Sequence, residues 1–331
     1  MERIAILGAG GWGTALAALL SRNGHQVTLW ARRPELAGEL RASRVNSYYL
    51  PGVRLPETVQ ITADPVEALR GSGIVVNAIP SRHVREIFQY FRTFTSAGVC
   101  YVSATKGIEV DSLKRMSEVL REILGMQTKI VVLSGPSFAV ESVRGDPTAV
   151  VAASEDGAAA ERVQQTFSSR RFRVYTNNDV VGTEVGGAVK NVIAIASGVV
   201  TGLGFGGNTT AGLITRGLSE IRRLAVAMGG RAETLGGLAG LGDLVLTCTG
   251  SLSRNRSAGI QLAQGRTLQQ IEQSSPMVVE GIPTTHATLQ LAREFSVEMP
   301  ITEQMFQVLY AGKAPQLAIA ALMERRLKEE S

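Results

Sequence analysis

Cysteine, histidine and aromatic side chains are scarce in this sequence of 331 residues, and each scarcity closes off a class of chemistry. The two cysteines, Cys100 and Cys248, lie far apart without metal-ligand spacing, which excludes a disulfide framework and points to a reducing compartment. Three histidines, His25, His83 and His286, stand isolated with no carboxylate cluster beside them, so no metal site is expected. Aromatics make up 5% of the chain, and no basic-aromatic strip of the kind that reads single-stranded nucleic acid is present. A net charge of +5 and a pI near 9.4 come from scattered residues rather than runs, which favours small phosphorylated ligands over nucleic acid. Long hydrophobic runs are missing too. The most apolar late stretch, 192–203, is interrupted by Ser197, Gly198 and Thr201, and reads as a buried helix rather than a membrane span. Met1 leads directly into a strand pattern, so no signal peptide and a cytoplasmic location are expected.

Glycine, by contrast, is abundant at 36 residues and gathers at junctions between apolar runs. Short β-branched runs at 3–7, 26–30, 59–62, 74–79, 99–103, 130–133, 149–153 and 173–175 alternate with amphipathic stretches. Helix starts are marked by Asp64-Pro65, by Ser81 after Pro80 and by Asp111-Ser112. This alternation predicts a parallel, doubly wound α/β sheet. Strand signals fade after Asn177 and helical periodicity takes over, predicting a dinucleotide-binding domain over 1–180 and a helical substrate domain over 181–331. The last residues, 324–331, read as a solvated helix end.

Gly8-Ala9-Gly10-Gly11-Trp12-Gly13 lies between the first strand and a helix, the setting in which G-x-G-x-x-G binds a dinucleotide. Gly8 allows the tight turn, Gly10 admits the pyrophosphate to the backbone, and Gly13 lets helix pack on strand. The helix N-terminus then offers free N–H groups to phosphate. About 20 residues on, where NAD-binding folds carry an acid, this chain has Arg32 and Arg33. Guanidiniums there suit a 2′-phosphate, so NADPH is expected to be preferred, with NADH possible and Arg32 the better candidate contact. Further on, Lys190 and Asn191 interrupt an apolar helix, where a charge is costly unless paired or functional.

Across nearly its whole length the sequence resembles the bacterial-type NAD(P)-dependent glycerol-3-phosphate dehydrogenases. The shared motifs are GAGGWGTALA at the start, ATKG at 104–107, SGPSFA at 134–139, GGAVKNVIAI at 186–195, GLAGLGDLVLTCT at 237–249, SRNR at 253–256, VVEG at 278–281 and EMPIT at 298–302. The resemblance implies a doubly wound (Rossmann) domain followed by an all-α domain of the 6-phosphogluconate dehydrogenase type. It also implies reversible reduction of dihydroxyacetone phosphate to sn-glycerol 3-phosphate for glycerophospholipid synthesis. Lys190 is implied as the general acid/base, and Lys106 as a residue touching both substrate and cofactor. Gly135, Ser137, Asp243, Ser253, Arg254 and Asn255 are implied for substrate, and Gly11, Trp12, Arg32, Tyr49, Ala139, Arg254, Val278 and Glu280 for cofactor. A homodimer without membrane insertion or nucleic-acid partner is expected.

Two other readings compete. A sugar-nucleotide or β-hydroxyacid dehydrogenase shares the two-part plan; the former needs a nucleophilic cysteine, for which Cys248 is the candidate. A non-catalytic NADPH-binding regulator would keep the glycine loop, but the presence of Lys106, Lys190 and Asp243 together speaks against it.

Overall fold

The computed structural model describes residues 1–95, 98–274, 277–327 and 329. Ten strands occur among them: β1 (Arg3–Leu7), β2 (Gln26–Trp30), β3 (Val45–Asn46), β4 (Leu50–Arg54), β5 (Gln60–Thr62), β6 (Ile74–Asn77), β7 (Cys100–Ser103), β8 (Lys129–Ser134), β9 (Thr148–Ala153) and β10 (Phe172–Asn177). Eight of them form one sheet in the order β10-β9-β8-β7-β6-β1-β2-β5. The order in which strands are added reverses at β1, with β2 on one side and β6 on the other, and this switch point is where open α/β sheets bind ligands.

Both faces of the sheet are covered, which explains the near-continuous apolar strands. Ile4 and Ile6 of β1 point into a core with Leu16, Leu20 and Leu29, while Ala5 and Leu7 face Phe88, Phe91 and Tyr101. Phe88 and Phe91 are fully buried, each contributing about 1.5–3 kcal/mol from apolar burial.

The pairing departs from the all-parallel expectation at one place: β8 and β9 are antiparallel, with Val132 opposite Ala153 and Ser134 opposite Val151. The helix between them, Ala139–Arg144, has six residues. It spans only about 9 Å, too short to carry the chain back along a strand of about 20 Å, so β9 starts at the edge where β8 ended. The β3–β4 hairpin, unforeseen in the sequence, folds over the glycine turn instead of joining the sheet.

Asp64 caps the helix Pro65–Leu69 as its sequence predicts, accepting from the backbone of Val66 at 2.8 Å. The expected helix start at Asp111-Ser112 is displaced. Those residues form a turn closed by an Ile108–Arg115 bridge, and the helix begins at Met116 with Arg115 as its cap. Similarly, the last helix, Pro315–Met323, closes before the predicted helix end, of which residues 328, 330 and 331 lie outside the described set.

From Val180 on the chain is helical. The helix Val180–Gly202 is buried on nearly every side, as a helix apolar all round must be. It is long and apolar enough to cross a membrane, yet 89% of its most apolar window is covered by the rest of the fold. Helix Arg254–Ala263 crosses it almost backbone to backbone. A Cβ at Gly259 would stand 2.0 Å from the Ile195 carbonyl oxygen, and one at Gly198 2.0 Å from that of Arg256. Across the junction with the sheet, the buried Glu184 carboxylate accepts from Arg115 at 2.7 Å and from the Ser117 backbone at 2.8 Å, capping a helix of the sheet layer. Helix and sheet are thereby held face to face, with the carboxyl ends of β7 and β8 looking at the middle of Val180–Gly202.

Candidate active site

The glycine turn has the geometry its pattern predicts. Gly8 has φ +116°, and a Cβ there would strike the Ala78 carbonyl oxygen at 2.7 Å; a Cβ on Gly13 would lie 1.9 Å from the Gly8 oxygen. Gly10 has no heavy atom within 4 Å of its Cβ position, leaving its backbone open to a ligand just before helix Gly11–Arg22. Asn46 of the hairpin donates to the Ala9 carbonyl at 3.0 Å and to Thr14 at 2.8 Å, which seats Tyr49 against Gly11. Trp12 is half-buried and leans on Phe172, ring centroids 6.5 Å apart. At the end of β2, Arg32 is exposed, and Arg33 caps the next helix with its guanidinium 5.7 Å from the Tyr48 ring. Ala139 opens the helix that follows the β8 turn.

These features fit a dinucleotide. Buried polar atoms support the same conclusion: Asn77 Nδ2, Ser103 Oγ and Ser134 Oγ, at the carboxyl ends of β6, β7 and β8, have no hydrogen-bond partner among the described residues.

Beside this crevice lies a charged cluster built from both halves of the chain. Lys106, from the loop after β7, donates through Nζ to Asp243 Oδ2 at 2.6 Å and to the Gly135 carbonyl at 2.9 Å. Gly135 has φ +128°, and Ser137 donates to the same carbonyl at 2.9 Å. Lys190, from the middle of Val180–Gly202, approaches Asp243 Oδ1 at 3.3 Å. Its ammonium also donates to Thr247 at 2.8 Å and to Asn191 at 3.1 Å. Asp243 is 2% exposed and Lys190 5%. Burial pulls the Lys190 ammonium down from 10.5 to about 8; Asp243 opposes that pull and Lys106 reinforces it. One buried carboxylate thus serves two ammonium groups, leaving the pocket a net positive charge.

The S-R-N run reaches this cluster through its asparagine. Asn255 donates to Asn191 Oδ1 at 2.9 Å and accepts from the Gly281 backbone at 2.9 Å. Ser253 caps helix Arg254–Ala263, its oxygen accepting from the Arg256 backbone. Arg254 is exposed and donates to the Val278 carbonyl at 3.1 Å. Glu280 does not join the lysines; it turns to the carboxyl end of β6, where Ser81 holds it.

Three residues beside the site have no role assigned by the sequence motifs. Asn191 and Thr247 contact the Lys190 ammonium directly, and a polar residue in an apolar helix was the only signal for the former. Arg82 donates to His83 at 3.1 Å near Arg32; burial and then the charges of Arg82 and Arg32 lower the basicity of that imidazole. Cys248 is fully buried and its thiol is pushed up to about 12 by burial, which removes it as a nucleophile.

Residues 3–160 match the family described as NAD-dependent glycerol-3-phosphate dehydrogenase N-terminus, and residues 179–320 match its C-terminus. The chain belongs to the NAD-dependent glycerol-3-phosphate dehydrogenase family. It is 54% identical to the glycerol-3-phosphate dehydrogenase [NAD(P)+] of Citrifermentans bemidjiense over 331 residues, 99% of each chain. The protein of the same name from Geobacillus kaustophilus is 49% identical over 332 residues, 100% of this chain and 96% of that one. Among solved structures, the glycerol-3-phosphate dehydrogenase of Coxiella burnetii superposes with a TM-score of 0.95 at 40% identity, covering 98% of this chain and 99% of that one. A ketopantoate reductase from Ralstonia eutropha, at 15% identity and a TM-score of 0.62, shares the fold alone, covering 96% of this chain and 99% of that one.

Proposed function

We propose that the chain catalyses the reversible reduction of dihydroxyacetone phosphate to sn-glycerol 3-phosphate, the supply step for glycerophospholipid synthesis. As a family member it is an NAD(P)-dependent oxidoreductase. The observation that carries the proposal is the buried Lys190 ammonium, held by Asp243 and Thr247 beside Lys106 at the carboxyl edge of the sheet.

A dihydronicotinamide held by the glycine turn would supply the hydride. Lys190 gives its proton to the C2 oxygen as charge develops there, and its neutral form takes the proton back in oxidation. With its pKa held at about 8 by burial, both forms are accessible near neutral pH. Lys106 polarises the ketone, and Asp243 keeps the two ammonium groups in place. The net positive pocket attracts a phosphate ester, for which Gly135, Ser137, Ser253, Arg254 and Asn255 are the proposed contacts. Gly8, Gly10, Gly11, Trp12, Gly13, Arg32, Arg33, Tyr49, Lys106, Ala139, Arg254, Val278 and Glu280 are the proposed cofactor contacts, with the exposed Arg32 supporting a preference for NADPH over NADH.

In this reading residues 1–180 bind the dinucleotide and residues 181–331 supply the substrate pocket. We also propose a cytoplasmic homodimer, supported by two buried unpaired thiols and by exposed apolar side chains such as Phe205 and Leu252; light scattering on the purified protein tests the assembly. The decisive assay follows the nicotinamide absorbance with dihydroxyacetone phosphate and NADPH or NADH in parallel. Oxidation of either confirms the reaction. No turnover despite cofactor binding refutes it.

A further inference from the structure

The Glu280 carboxylate is gripped on both oxygens by one residue of the sheet edge. The Ser81 backbone N–H donates to Oε1 at 3.1 Å and its hydroxyl donates to Oε2 at 2.6 Å, joining residues 199 positions apart. Space for the pair exists because residue 107 is glycine. A Cβ there would lie 2.6 Å from Ser81 Cβ and 3.2 Å from Glu280 Oε2. Gly107 directly follows Lys106, whose ammonium binds Asp243, so this grip adjoins the reacting centre.

A carboxylate has about four acceptor positions. Ser81 takes one on each oxygen from one side, leaving the others for donors from elsewhere. Burial opposes ionisation of Glu280, while the two Ser81 donors and the charges of Arg254 and Arg82 favour it. A grip on both oxygens also fixes the plane of the carboxylate, which a single hydrogen bond leaves free to rotate.

We infer that Ser81 is a positioning residue for cofactor binding, fixing the Glu280 carboxylate as an oriented acceptor for a hydroxyl or amide donor on the nicotinamide-riboside half of NAD(P). The inference rests on the proposed place of Glu280 in the cofactor site. Gly107 is part of the same device, because any side chain there would separate Ser81 from Glu280.

The test uses the full chain with NADPH as probe and three substitutions, S81A, S81C and E280Q, each checked for fold by circular dichroism. S81C is nearly the size of serine with a much weaker donor, and gives the same readout should alanine fold poorly. S81A and S81C are expected to raise the KM for NADPH about tenfold, leaving the KM for dihydroxyacetone phosphate and kcat nearly unchanged. The acid limb of kcat/KM for NADPH is expected to move to higher pH in both, because Glu280 loses a donor that favours its ionised form. Arg254 and Arg82 are the other charged groups acting on it, and both favour its ionised form. E280Q is expected to raise the same KM and to abolish that limb. A purely structural bond would lower thermal stability and move neither KM nor limb, and that result in S81A overturns the inference. So does a lower KM for NADPH in S81A, which would mean that the Ser81–Glu280 pair competes with the cofactor. An unchanged KM for NADPH in E280Q instead refutes the place of Glu280 in the cofactor site, leaving the proposed reaction standing.

Discussion

Replacing Asp243 by asparagine removes the carboxylate that lies between Lys106 and Lys190 while keeping the side-chain shape. Asp243 Oδ1 stands 3.3 Å from the Lys190 ammonium. Unit charges at that separation attract by about 5 kcal/mol at an effective dielectric of about 20. About 1.36 kcal/mol displaces a titration by one pH unit, so realising only a quarter of the attraction moves that of Lys190 by about as much. The direction is downward, since burial and Lys106 already favour the neutral amine and Asp243 is the largest cause opposing them.

On the proposed role of Lys190, reduction of the ketone needs the ammonium form as proton donor, so the wild-type rate should fall as pH rises through about 8. Oxidation of the alcohol needs the free amine and should rise across the same range. Asp243→Asn should displace both limbs to lower pH by at least about one pH unit. The assay is nicotinamide absorbance in both directions over a pH series spanning the wild-type limb. Lys190→Ala is the control: it should cut kcat by about two to four orders of magnitude and leave NADPH binding, followed by its fluorescence, nearly intact. Limbs that stay put in Asp243→Asn, or turnover retained by Lys190→Ala, would refute this account of the lysine.

Three further outcomes are expected. Arg32→Ala should lower kcat/KM for NADPH by about ten- to a hundredfold and leave NADH nearly unaffected; equal losses would show that Arg32 does not meet a 2′-phosphate. Glu220, buried at the start of helix Pro300–Tyr310, accepts from the Ile301 backbone at 2.6 Å, and burial pushes its carboxyl from 4.5 up to about 7. A folded-state pKa raised this way adds stability only at low pH and loses it as pH climbs towards about 7. Urea unfolding should therefore find Glu220→Gln gaining on the wild type by roughly 3 kcal/mol between pH values below and above that window; a constant difference would contradict the burial argument. Gly259→Ala would force a Cβ to within 2.0 Å of the Ile195 carbonyl oxygen. It should cost about 1–3 kcal/mol or more and lower kcat by moving Asn255 away from Asn191, and wild-type stability and kcat together would show that the helices can separate freely.

The sheet was readable in the chain because its strands are apolar on both faces. Runs such as 74–79 and 130–133 have no polar alternation, and all eight predicted runs fall on strands of the eight-stranded sheet. What pattern could not convey was direction. The reversal at β9 depends on the brevity of helix Ala139–Arg144 rather than on any residue of the strands themselves. The β3–β4 hairpin was hidden for a different reason: Pro51 and Gly52 sit inside β4, where they lower its strand character, and the hairpin is held by Asn46 contacts to the glycine turn. The Asp111-Ser112 pair looks like a helix cap, but Ser112 instead bonds Glu109 inside the turn, and the true cap is an arginine.

Single site residues were legible, whereas their pairings were not. Lys190 drew attention as a charge among Val189, Val192 and Ile193, which are all fully buried. Nothing near it in sequence identifies its counterion, because Asp243 arrives from another helix and Lys106 from the sheet edge. That separation has a physical consequence. A buried ammonium with a private carboxylate would titrate high and make a poor base, and one with no carboxylate would lose its proton altogether. Sharing Asp243 between two ammonium groups places Lys190 between those limits, at about 8, and leaves one positive charge for a phosphate ester to neutralise. Because Lys106 and Lys190 belong to different halves of the chain, that balance exists only when sheet and helices are docked. Glu184 on Arg115 and Ser117 therefore bears on the proposed proton transfer as well as on stability: it fixes the helix carrying Lys190 against the layer that follows β7.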